Sequence, residues 1–124
     1  MVSHSAALAD GLAEMADQIA GGEVRIVAAG GGPDGTLGTS GEVIVKAIGD
    51  ADSGSGVLIL ADLGSAILSV KAAMASGDLD GTLALLADAP LVEGTIAAAV
   101  AASIGHDLEA ARCAAEEAWS VRKL

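Results

Sequence analysis

The sequence is 124 residues long, enough for one domain with a single core and too short for two. Its hydrophobic share is 52%, with no Tyr, no Phe and one Trp, so the core falls to Ala, Val, Ile and Leu, which suit buried parallel strands and closely packed helices. Six Lys and Arg against seventeen Asp and Glu give a net charge of −11 at pH 7. That balance argues against nucleic acid or an anionic membrane surface as a partner, and for protein partners that are basic where they touch the chain.

The chain opens Met1-Val2-Ser3-His4, without a basic segment leading into an apolar one, and no apolar run reaches the length of a membrane span. A cytoplasmic protein is expected. Only Met1-Val2-Ser3 is available for a strand ahead of the first helix, which predicts either a stub or a strand that residues outside this sequence complete. Ser5 caps a helix whose apolar positions Leu8, Leu12, Met15 and Ile19 recur at helical spacing, and Gly21-Gly22 stops it. Val24 to Ala29 reads as a buried strand, and Gly30 to Ser40 as a long ordered loop rich in glycine. Thr39 and Glu42 stand at capping-box spacing, so a second helix begins near Ser40 or Gly41.

After a polar turn from Asp50 to Gly56, Val57 to Ala61 is the clearest strand; it runs into Asp62-Leu63-Gly64-Ser65 and a third helix from Ser65 to about Ser76. Gly77 to Gly81 is a turn, Thr82 to Ala87 a weaker strand, and Ala89-Pro90 a break before an Ala-rich helix from about Val92 to Ile104, which Gly105 ends. Asp107 caps a last helix carrying Leu108, Ala111, Cys113, Ala115 and Trp119, with Arg122 and Lys123 near its C-terminal dipole. Strands alternating with helices imply an α/β fold, a three-layer open sheet, mainly parallel, with helices on both faces.

His4 falls between the first strand and the helix capped by Ser5, at the carboxyl end of a strand, where open α/β sheets bind ligands. An imidazole is largely neutral, and therefore nucleophilic, near pH 7. The plain alternative is a frayed terminal histidine. Asp62 ends the best strand; it can accept a hydrogen bond from one ring nitrogen of His4, fix the tautomer and leave the other nitrogen free to attack, or equally cap the helix that follows. Ser65, at the helix start, reads as a cap first and a phosphate ligand second.

Gly30-x-Gly32-x-x-Gly35 superficially matches a dinucleotide fingerprint, but Thr36-Leu37-Gly38-Thr39 intervenes before the helix and no Walker lysine follows. A loop rich in N–H groups that ends in Thr39 and Ser40 at a helix N-terminus can still cradle one phosphoryl group; otherwise it is a wide turn needing positive φ angles. His106-Asp107 and Glu93 are explained by capping and the helix dipole, and Cys113 by packing. One cysteine permits no intramolecular disulfide, and a zinc site would need that cysteine, two distant histidines and carboxylates, so no metal is expected.

In order along nearly the whole chain, Val2-Ser3-His4-Ser5, Ala29-Gly30-Gly31 with Asp34 to Ser40, Asp62-Leu63-Gly64-Ser65-Ala66 and Ala89-Pro90-Leu91-Val92-Glu93-Gly94 resemble the DhaM family. These are the phosphotransferase subunits of phosphoenolpyruvate-dependent dihydroxyacetone kinases, whose module is similar to the mannose-type enzyme IIA of the sugar phosphotransferase system. The resemblance implies that residues 1–124 form one enzyme IIA domain, with sheet order resembling 2-1-3-4, in a cytoplasmic homodimer. It implies a histidine phosphocarrier without a cofactor: Nε2 of His4 accepts a phosphoryl group from HPr and passes it to ADP held on DhaL, which works with DhaK on dihydroxyacetone. Gly38, Thr39 and Ser40, together with the turn from Asp62 through Gly64 and Ser65, would surround the phosphate. The rival readings are a small Rossmann-like domain that binds a nucleotide or acyl ligand through the glycine loop, and a regulatory protein without phosphotransfer.

Overall fold

Ser5 accepts the Leu8 N–H at one end and Gly21, at φ 75°, closes the other, so the first helix, α1, spans Ala6–Ala20. The computed structural model describes residues 1–79 and 81–124; Asp80, within the turn expected over Gly77 to Gly81, lies outside the described residues. Around α1 the chain runs β1 (Val2–Ser3), β2 (Ala29–Gly30), α2 (Gly41–Ala51), β3 (Val57–Ile59), α3 (Gly64–Ala75), β4 (Ala84–Leu86), α4 (Leu91–Ser103), α5 (Leu108–Glu117) and a 3₁₀ turn at Ala118–Ser120. The α/β alternation read from the sequence is therefore the observed one. Among the described residues no helix is long and apolar enough to cross a membrane.

β1 pairs in parallel with β2, and β3 in parallel with β4. A single parallel bridge from Val2 to Ala61 links the two ladders, carried by the Val2 N–H on Leu60 O (2.8 Å) and the Asp62 N–H on Val2 O (3.2 Å). The continuous open sheet expected from the sequence is thus realised as two short ladders joined at one point. The run from Val24 to Ala29 pairs as a strand only from Ala29 onward. The Met1 amine donates to Val27 O and the Ala29 N–H to Met1 O, both at 2.8 Å.

Side chains of β3 and of the two residues after it alternate between two layers. Val57, Ile59 and Ala61 pack with Ile44 and Ile48 of α2 and Val70 of α3, whereas Leu58 and Leu60 pack with Ala87, Ala98 of α4 and Ala115 of α5. On α1 the buried stripe is Ala9, Leu12, Ala16 and Ala20, while Leu8, Met15 and Ile19 of the expected apolar face are exposed. Close approach explains the exchange. A Cβ on Gly30 would lie 2.7 Å from Ser5 O and 2.9 Å from Ala9 Cβ, and Ala16 and Ala20 meet Ala99 of α4, so at these three positions of α1 only a small side chain fits.

Helix boundaries hold to within a residue or two, with changes in who caps them. Ser40 is the N-cap of α2, so the Thr39–Glu42 capping box is not formed. Cys113 is exposed on α5 rather than packed. Lys123 pairs with Glu93 in the first turn of α4 instead of facing the end of α5, and Trp119 donates to Asp88 O at 2.9 Å. Where the two ladders part, at the amino ends of β1 and β3, a cavity of about 450 Å³ opens between Met1, Val24, Val27, Ile48, Leu58 and Thr95.

Candidate functional site

At the opposite, carboxyl end of β1 and β3 the chain turns twice into a helix, and the two turns meet. The Asp62 carboxylate accepts four donors. Oδ2 takes the Ser3 hydroxyl at 2.9 Å and the His4 N–H at 2.8 Å, and Oδ1 takes the His4 ring at 2.9 Å and the Leu63 N–H at 2.7 Å. Ser3 is fully buried and in turn accepts the Ser5 N–H at 3.0 Å, so one relay runs from the start of α1 to the carboxylate. Partial burial alone would push the Asp62 carboxyl up; the bonds from His4, Ser3 and Leu63 outweigh it and hold the carboxyl below its ordinary range.

A carboxylate accepts, so Nδ1 of His4 carries the proton it shares with Asp62, and Nε2 of the neutral ring keeps its lone pair. The Ser65 hydroxyl lies 2.7 Å from Nε2 and donates to it. His4 retains 23% of its side-chain exposure against 12% for Asp62, so the nucleophilic edge is reachable while its partner is covered. Asp62 and Ser65 do not cap α3. Leu63 is the N-cap and brings no side-chain bond, so among the described residues the first N–H groups of α3 find no partner. The Gly38 N–H donates to His4 O at 2.9 Å, fixing the histidine backbone against the glycine loop, with φ 146° at Gly38. Thr39 and Ser40 follow at the start of α2, where Ser40 caps the helix and the Thr39 hydroxyl meets Ser69 of α3 at 2.7 Å.

Among the described residues no group of three His, Cys, Asp or Glu side chains could hold a metal ion. The donors gathered here are N–H groups, hydroxyls and one imidazole, a set for an anion rather than a cation.

Residues 1–112 match the family model EIIA-man, described as the PTS system fructose IIA component. The chain belongs to that family. It is 39% identical over 113 residues to "PEP-dependent dihydroxyacetone kinase 2, phosphoryl donor subunit DhaM" of Listeria innocua, with 89% of each chain covered. It is 35% identical over 114 residues to "PEP-dependent dihydroxyacetone kinase, phosphoryl donor subunit DhaM" of Escherichia coli; there the match covers 88% of this chain and 24% of that protein. A solved structure of a protein described as of unknown function, EF1359, superposes with a TM-score of 0.77 at 39% identity, covering 94% of this chain and 89% of the other.

In this EIIA-man domain His4, Asp62 and Ser65 are in direct contact, and Gly38 touches His4 through its backbone. Reading the sequence missed Ser3 and Ser69. A polar residue between Val2 and His4 in a strand, and a Ser65–Ser69 pair four apart on one helix face, are the signals that point to them.

Proposed function

We propose that this chain is a histidine phosphocarrier in which Nε2 of His4 receives a phosphoryl group from phosphohistidine on HPr and delivers it to ADP bound on DhaL, for use with DhaK on dihydroxyacetone. The observation that carries the reading is the Asp62–His4–Ser65 line, in which Nδ1 faces the Asp62 carboxylate and Nε2 is the ring edge turned to the Ser65 hydroxyl at the start of α3. The names of the relatives, phosphoryl donor subunits of dihydroxyacetone kinases, support the same reading.

The steps balance without an added acid or base. The Nε2 lone pair attacks phosphorus as the P–N bond to the donor imidazole breaks, and that imidazole leaves with its electron pair. The ring of His4 then bears positive charge, which the Asp62 carboxylate steadies through the Nδ1 proton. In the second step a β-phosphate oxygen of ADP attacks, the N–P bond breaks, and the pair returns to Nε2. Phosphoryl transfer asks the protein mainly for alignment and for donors on the equatorial oxygens. The free N–H groups at Gly64 and Ser65, the Ser65 hydroxyl once it swings off Nε2, and the start of α2 at Thr39 and Ser40 supply them. With the Gly38 N–H bound to His4 O, Gly38 holds the nucleophile's backbone in this scheme.

Leu37, Leu63 and Leu68 are exposed on the same two turns and the adjacent helix, as a protein donor or acceptor would require. The homodimer implied by the resemblance would find an exposed apolar stripe at Leu8, Met15 and Ile19 of α1. The alternative of a ligand-binding or regulatory domain without transfer draws on the cavity at the other end of β1. One experiment separates them: incubation with phosphoenolpyruvate, enzyme I and HPr, followed by the intact mass of the chain and of His4→Ala. An acid-labile phosphoryl mass, absent from His4→Ala and discharged by DhaL with ADP, is expected. No added mass on folded protein with active donors overturns the reading.

A further inference from the structure

Ser69, on the second turn of α3, joins two segments that otherwise touch His4 separately. Its hydroxyl donates to Ser65 O at 3.1 Å and lies 2.7 Å from the Thr39 hydroxyl. A serine bonding back to the carbonyl four residues earlier is ordinary helix behaviour, but that bond alone does not reach the glycine loop. The contact with Thr39 does, and it has a direction. A hydroxyl has one proton; Ser69 gives its own to Ser65 O, so the Thr39 hydroxyl donates to Ser69. Thr39 follows Gly38, whose N–H holds His4 O, and Ser65 donates to Nε2. The Ser69 hydroxyl therefore ties the start of α2 to the first turn of α3, the two helix starts that flank the histidine.

We propose that Ser69 is a positioning residue for phosphoryl transfer at His4: it fixes the spacing of the two helix starts and commits the Thr39 hydroxyl proton to α3, so that Thr39 meets the phosphoryl group through its main chain. This rests on the phosphocarrier reading. Ser69 is half-buried on the helix surface, and its hydroxyl bonds to Ser65 O and Thr39 rather than to His4.

The test compares Ser69→Ala, Ser69→Thr and Thr39→Val, each alone, and Ser69→Ala with Thr39→Val, in transfer from phospho-HPr. Maximal rate, the KM for HPr and the melting temperature are read for each. Expected is a fall of about five-fold in maximal rate for Ser69→Ala, the worth of one neutral hydrogen bond. The KM stays unchanged, the melting temperature falls by a few degrees at most with the protein still folded at the assay temperature, Ser69→Thr recovers the rate, and the double variant falls no further than either single one. An unchanged or faster Ser69→Ala overturns the inference while leaving the carrier intact. So does a loss that Ser69→Thr fails to recover or that tracks melting. Absence of phosphoryl transfer to the parent chain overturns both readings.

Discussion

At the carboxyl end of β1, Asp62 gathers four donors between 2.7 and 2.9 Å, and the fully buried Ser3 relays to the start of α1. At the amino end of the same two-residue strand, Met1 makes one bond to Val27 O and receives one from Ala29, and beyond it lies the cavity of about 450 Å³. The two ends treat charge in opposite ways. Hydrogen bonds hold the Asp62 carboxyl ionised, whereas burial pushes the Met1 amine down to about 6. A strand of two residues gains little from its ladder alone. It is held mostly by the side chains that also prepare His4, so stability and chemistry are coupled at one end of the molecule and separable at the other.

The sharpest way to break that comparison is Asp62→Ala. Removing the carboxylate leaves the buried Ser3 hydroxyl, the His4 N–H and the Leu63 N–H without their acceptor, at an expected cost of about 3 kcal/mol in urea unfolding, together with loss of the oriented ring. Asp62→Asn isolates the charge. The folded carboxyl binds its proton more weakly than the unfolded one, so the unfolded state takes up protons first as the pH drops. The charge-dependent stability is complete above about pH 4 and is lost as pH falls through the lower folded value. Urea midpoints of parent and Asp62→Asn should therefore converge on acidification. Parallel curves would mean that the carboxylate contributes nothing as a charge.

Gly30→Ala acts at the middle of the same unit. Its new Cβ would meet Ser5 O, Ala6 Cα and Ala9 Cβ at 2.7 to 2.9 Å, contacts made mostly with backbone that has no rotamer to yield. α1 must lift from β2, at about 2 kcal/mol. Because α1 follows His4 directly, phosphorylation should slow in the same variant. A chain that melts like the parent would show that α1 is free to shift.

Much of this is legible in the sequence. Gly21, Gly105, Ser5 and Asp107 mark helix ends through chemistry local to each residue, and His4 and Asp62 stand out because a polar residue at the carboxyl end of a buried strand has few packing uses. What was not legible depends on distant partners. Val24 to Val27 has the composition of a strand, yet β2 covers only Ala29–Gly30, and α1 turns Ala9, Ala16 and Ala20 inward beside Leu12 while Leu8, Met15 and Ile19 stay exposed, because Gly30 brings it close to β2. Ser65 has the position of a cap, yet its hydroxyl is drawn to Nε2, sixty-one residues away in sequence. Periodicity records what a residue can do; a partner across the fold decides which of those it does.

The smallest expected effect comes from the amino end and has the opposite sign. Thr95 of α4 is 4% exposed, lines the cavity, and its hydroxyl is the buried side-chain polar atom without a hydrogen-bond partner among the described residues. Thr95→Val keeps the shape and removes the orphan, so stability should hold or rise, by up to about 1 kcal/mol. The contrast with Asp62→Ala is the point of the measurement: one substitution strips acceptors from satisfied donors, the other deletes a donor that satisfies nothing. A clear loss of stability would show that the Thr95 hydroxyl is bonded in solution, with water in the cavity as its partner. The amino end would then be built around a polar contact, as the carboxyl end is around Asp62.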